Sequence, residues 1–278
     1  MKTLLVPTDY SESASNAVDY AIGFAKVIPC HIILFHAFHI PVPVMDTDLA
    51  YSIPPSVTEH NRAMLEEYAK GLLSNKAKGI LLETIARSGQ AADEIAILAR
   101  ERKIDFVIMG TSFSGRIGHA LFGSTTTGVL DRVTQPVIVV PEKAIFKVPA
   151  RVAFACDYDL KVSSRVLKEL KILVRFFKAR LFVINVEKPG ENMSTQQTLG
   201  SLQVETALEG TNRSMHYLAD KNVVKSVMEF EDSHLVDLLV MIPKRHEGLS
   251  RIFHPSQTRK MVFKTHIPIL ALYDPDAA

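Results

Sequence analysis

The chain has 278 residues, 47% hydrophobic and 22% charged, which suits about two globular domains and excludes a disordered or low-complexity chain. A formal net charge of +2 excludes the broad basic field of a nucleic-acid or anionic-membrane binder, and two cysteines, Cys30 and Cys156, are too few for a disulfide framework. No apolar run reaches the ~18 residues of a membrane span, and Asp9 and Glu12 interrupt the opening apolar stretch before it can form a signal peptide, so a cytoplasmic setting is expected.

Leu4, Leu5, Val6 and Pro7 read as a short buried strand, followed by a helix from about 13 to 27. Residues 32–35 form a second apolar run, too short for a helix and rich in β-branched side chains. A loop containing Pro41, Pro43, Pro54 and Pro55 leads to Ser56, which caps a helix running to about 78. Strand and helix then alternate: strand 81–86, helix 91–102, strand 106–109, helix 124–133, strand 137–140. Apolar strands separated by helices predict a doubly wound parallel five-stranded sheet, because parallel neighbours need crossovers of a dozen residues or more.

The pattern then restarts, so an internal repeat organises the chain. Residues 151–157 parallel 4–9, each run ending in an aspartate before a polar turn; 181–186 parallel 32–37, 237–242 parallel 105–110, and 267–270 parallel 135–138. The expected domains are 1–146 and 147–278. One comparison does not close. Only about five residues separate Phe230, read as the end of a strand, from Val236, and they span roughly 18 Å at most, too little for a parallel crossover. Either the second unit has dispensed with this helix and rearranged its sheet, or a segment near 231–235 is missing; the second is the expectation.

Two constellations carry chemistry. Pro7, Thr8 and Asp9 close the first strand, where a wound sheet opens its ligand crevice, and Asp9 can meet a ribose hydroxyl or a metal ion. The alternative is that Asp9 or Ser11 satisfies amide groups at the start of the first helix. Residues 109–126 run from the end of a strand to the start of a helix, with Met109, Gly110, Thr111 and Ser112 at one end and Gly123, Ser124 and Thr125 at the other. Glycines there let backbone amides approach an anion and the hydroxyls sit at the positive helix end, although a loop with a Ser-capped helix is the plainer reading. Neither a Walker loop nor a Rossmann fingerprint is present.

Together these residues resemble the universal stress protein family, in two successive copies covering nearly the whole chain. The family's nucleotide-binding members carry G-x2-G-x9-G-[ST] after the fourth strand; Gly110, Gly123 and Ser124 fall on its outer glycines and hydroxyl position, while the middle glycine falls on Phe113. The resemblance implies that Pro7, Thr8 and Asp9 line the adenosine end and Ala37 touches adenine. Met109, Gly110, Gly123, Ser124 and Thr125 would hold ribose and phosphates, with Thr111 and Ser112 in the same set. The implied ligand is ATP or another adenine nucleotide, with or without Mg. In the second copy Ile242, Arg245 and Pro255 replace the glycines, and only Asp157 and Ser256 remain. Lys244 and Arg245 with Ser256 could form a second anion site through side-chain charge, or a solvated basic face.

The histidines lack zinc-like spacing, no nucleophile elbow is visible, and Cys156 beside Asp157 reads as a small core residue, so no catalytic or metal-ligating residues are assigned. In the family the last strands pair across a dimer, which implies that the two halves pair here within one chain as a pseudo-dimer, and that tandem chains associate as homodimers. The expected role is nucleotide-linked regulation in a stress response, not catalysis. The competing reading is a ligand-free scaffold for a protein partner, its pocket retired by Phe113.

Overall fold

The structure is a computed structural model describing residues 1–39, 55–111, 124–158, 162–187, 189–190, 193–243, 261 and 264–274. Its first half runs β1 (Lys2–Pro7), α1 (Glu12–Val27), β2 (Cys30–Phe38), α2 (Pro55–Asn75), β3 (Leu81–Ser88), α3 (Ala91–Glu101), β4 (Phe106–Thr111), α4 (Ser124–Arg132), β5 (Val137–Pro141). The second runs β6 (Arg151–Ala155), α5 (Ser164–Phe177), β7 (Arg180–Glu187), α6 (Thr195–Ala207), β8 (Arg213–Ala219), α7 (Val223–His234), β9 (Leu238–Met241), β10 (Ile269–Ala271).

All strands join one ten-stranded sheet in the order β3-β2-β1-β4-β5-β10-β9-β6-β7-β8. Within each half the neighbours are parallel; at the seam β10 pairs antiparallel with β5, Leu270 opposite Ile138. Two wound five-stranded sheets thus form a pseudo-dimer inside one chain. The pairing also gives the apolar strands β5 and β10 partners on both sides, removing edges that would otherwise template aggregation.

Strand alternation sorts the core into two layers. Leu4, Val6, Ile32 and Leu34 belong to the layer that includes α1, α2, α5 and α6, whereas Leu5, Ile33, Val107 and Met109 belong to the layer that includes α3, α4 and α7. Leu4, Leu5 and Val6 are all completely buried, because helices cover both faces of a parallel sheet.

The expected gap near 231–235 is corrected. Residues 223–234 form α7, and the third strand of the second half is β8, well before Phe230. Val224, Val227 and Phe230 are buried at helical spacing, Asn222 Oδ1 accepts from the Lys225 amide at 3.1 Å, and Leu235 closes the helix in a left-handed conformation. The crossover is therefore complete within the residues present. Of the two cysteines, Cys30 opens β2 and Cys156 follows β6, and both are buried and unbonded. Burial, then the neighbouring Asp157, pushes the Cys156 thiol far up, which suits an inert core residue.

Candidate functional site

The strand order reverses between β1 and β4, and the crevice of a wound sheet lies beyond the carboxyl ends of those two strands. Pro7 ends β1 and Thr111 ends β4. Ala37 and Met109 belong to the α3/α4 face of the core, and Pro7 and Thr111, two residues on from Leu5 and Met109, share that face. Alternation thus gathers Pro7, Ala37, Met109 and Thr111 on one side of the sheet at its carboxyl end. Met109 itself is buried, so its side chain forms the floor beneath this end of the sheet instead of an open wall.

Packing ties the other elements to this point. Thr126 in the first turn of α4 donates to the Gly110 carbonyl at 3.3 Å, bringing Ser124 and Thr125 over the end of β4. Ser124 is exposed and Thr125 half-buried. Gly110 lies against α1: a Cβ there would sit 2.2 Å from the Ser13 carbonyl oxygen. Ser13 Oγ is 3.2 Å from Ser11 Oγ, and Ser11 caps α1 by accepting from the Ala14 amide. Asp9 is exposed, and its Oδ1 accepts the Ser11 amide at 3.0 Å. Helix capping is thus realised by Asp9 and Ser11 together, and it leaves the second Asp9 oxygen without a hydrogen bond among the described residues.

Between β1 and α1 the chain turns at Tyr10, which has φ 63°. A left-handed tyrosine costs roughly 1–2 kcal/mol. It is held there by its amide donating to Thr8 Oγ1 at 3.0 Å and by its ring against His36 (4.8 Å between centroids) and Tyr68 (5.6 Å). His36 Nδ1 in turn donates to the Thr8 carbonyl at 2.8 Å, while the Thr8 amide donates to Phe35. Tyr10, His36, Tyr68 and Thr126 carry no sequence signal as site residues, since a left-handed tyrosine leaves no compositional trace and a strand histidine has no motif around it.

Two buried hydroxyls at this locus have no partner among the described residues, Thr111 Oγ1 and the Tyr10 phenol. Burial, then Tyr68, raises the Tyr10 pKa, so that phenol stays a donor. An orphaned buried hydroxyl costs about 1–3 kcal/mol unless something bonds it. Thr111 is therefore a donor available to a ligand on the α3/α4 face. Ser112, Phe113 and Gly123 lie outside the described residues.

The second half repeats the frame with different chemistry. The Cys156 amide donates to Ile184 as Thr8 does to Phe35, and Asn185 Nδ2 donates to the Cys156 carbonyl at 3.0 Å where His36 served in the first half. Tyr158 is fully buried, and its carbonyl oxygen lies only 2.7 Å from where a Cβ on Gly200 of α6 would stand. Lys244, Arg245 and Ser256 lie outside the described residues.

Comparison with known proteins follows the same division. The profile of the universal stress protein family matches residues 1–141. A universal stress protein of Synechocystis is 22% identical over 97% of this chain and 99% of its own length. The crystal structure of a universal stress protein from Archaeoglobus fulgidus superposes with a TM-score of 0.75 at 20% identity, covering 99% of this chain and 97% of that one. A universal stress protein solved in complex with cAMP is 23% identical over 50% of this chain and covers 96% of its own, with a TM-score of 0.39.

Proposed function

The chain belongs to the universal stress protein family, in the tandem form, and from that premise we propose that its first half binds an adenine nucleotide as a regulatory signal, without turnover. The observation that carries this reading is the unpartnered Thr111 hydroxyl, buried on the face where Pro7, Ala37 and Met109 also point. In this reading Thr111 and Ser124 donate to phosphate or ribose oxygens, the start of α4 offers unpaired amides to an anion, and the free oxygen of Asp9 accepts a ribose hydroxyl. The reading assigns this role to the first half alone, because Ile242, Arg245 and Pro255 replace the motif glycines in the second.

Isothermal titration with ATP, ADP and AMP, each with and without Mg, tests the proposal. Binding is expected, and Asp9→Ala and Thr111→Val should each weaken it about tenfold, the worth of one hydrogen bond to a charged or desolvated group. Gly110 favours the competing reading of a scaffold without ligand, because packing against α1 alone accounts for that glycine. No heat at millimolar nucleotide, in the native chain and in Phe113→Gly alike, would establish the scaffold instead.

A further inference from the structure

Where the two halves meet, the face of the sheet that carries α1 and α5 is incompletely covered, and a groove of about 890 Å3 runs between those helices. Ile138 and Leu270, partners across the seam, form its floor; Phe24 and Phe146 line one wall, Leu173 and Phe177 the other. The size falls within the ~300–1,000 Å3 of small-molecule sites. The walls differ at their lips. Phe146 packs edge-on against Tyr20 and Phe24 at 5.1 and 5.8 Å, closing the α1 side. On α5, Ile172 and Phe176 stand 59% and 60% exposed and extend the apolar surface outward.

The charges around the groove do not cancel. Its lining includes Lys2, Arg100, Lys103 and Arg165 against only Asp105 and Glu169. Both carboxylates are taken, Asp105 by Lys2 at 2.5 Å and Glu169 by Arg165 at 3.0 Å. The acidic neighbours of α3 are taken as well, Glu101 by Arg87 and Glu83 by Arg102. Arg100 and Lys103 therefore have no carboxylate partner among the described residues, and two uncompensated cations stand at the rim of an apolar groove.

We propose that this groove binds an anionic amphipath, an alkyl chain bearing a single carboxylate. The chain lies over Ile138 and Leu270 between α1 and α5, and the carboxylate meets Arg100 and Lys103. A neutral hydrocarbon would leave both cations unused, and a polar anion would leave the apolar floor wet. Only a ligand with both characters satisfies the two ends.

The test uses the full chain and a fluorescent fatty acid, 11-(dansylamino)undecanoate. Its emission should rise and shift to the blue on binding, and dodecanoate should displace it about tenfold better than dodecanol or dodecyltrimethylammonium. Arg100→Glu with Lys103→Glu should weaken dodecanoate at least about tenfold while dodecanol, nucleotide titration and melting temperature stay unchanged, since both side chains are exposed. Leu173→Asp should abolish binding of acid and alcohol alike. The proposal is overturned if the probe does not bind, or if acid and alcohol compete equally and the charge reversal changes nothing. It is equally overturned if sedimentation shows a dimer of this chain from which the probe is excluded. Nucleotide titration is independent of every one of these readouts, so failure here leaves the nucleotide reading standing.

Discussion

A methyl group on Gly110 would meet the Ser13 carbonyl oxygen at 2.2 Å and its carbon at 2.6 Å, both backbone atoms of α1 that cannot swing aside. Gly110→Ala must push the helix off the sheet, and overpacking of this kind costs ~1–3 kcal/mol. A thermal melt without nucleotide should show the loss in full; an unchanged melt would show that the contact relaxes freely. The result separates packing from ligand contact at a position where the family motif invites only the second explanation.

Glu231 offers a second test at the same scale. It lies on α7 at 2% exposure, Thr265 donates to its Oε2 at 2.8 Å, and Oε1 has no partner among the described residues. Burial is the main reason its carboxyl is raised from 4.5 to about 7; the Thr265 bond works against the shift and Asp232 adds to it. The unfolded carboxyl releases its proton near 4.5 while the folded one keeps it to about 7. Stability from this group is therefore complete below pH 4.5 and is lost as pH rises to about 7, by roughly 3 kcal/mol in all. Urea unfolding should show this decline, and Glu231→Gln, which keeps an acceptor for Thr265, should remove it. Parallel pH profiles for the two proteins would count against the shift.

At the scale of elements, α7 shows what was legible and what was not. Strands β1, β2, β4 and β5 could be read because each carries a short apolar run buried on both faces, and the restart at Arg151 could be read because β6 repeats β1 and each is followed, two residues on, by an aspartate. Strand β8 could not. It borders the sheet, carries Arg213, Ser214, His216 and Tyr217, and none of its seven residues is fully buried, so it has no apolar run to find. With β8 leaving no signal, Phe230 reads as the end of the missing strand, although it is buried at helical spacing with Val224 and Val227. Of the site, Asp9, Gly110 and Ser124 were visible through the motif, whereas the Tyr10–His36–Tyr68 cluster depends on one left-handed residue and on an α2 contact far along the chain. The identity of α7 can be checked at its cap. Asn222→Ala removes the acceptor of the Lys225 amide and should cost about 1 kcal/mol in denaturant unfolding; a neutral outcome would argue against a helix starting there.

For the whole molecule the decisive feature is the antiparallel register of β5 and β10. All five residues of β5 and all three of β10 are buried, and Leu270 at 1% exposure belongs to a core layer shared by both halves. The covalent link is slight by comparison, for Lys147 and Val148 are exposed, and Phe146 before them packs on α1 over Gly23. The seam should therefore hold the halves together without the link. Residues 1–147 and 148–278 expressed together as separate chains are expected to co-purify as a one-to-one complex, because each alone would expose a flat apolar edge strand. Leu270→Asp places an unpaired carboxylate in the shared layer and should dissolve that complex, at a cost of several kcal/mol. Recovery of both pieces as separate soluble monomers, with Leu270 intact, would mean that the link and not the strand pairing makes this a single molecule.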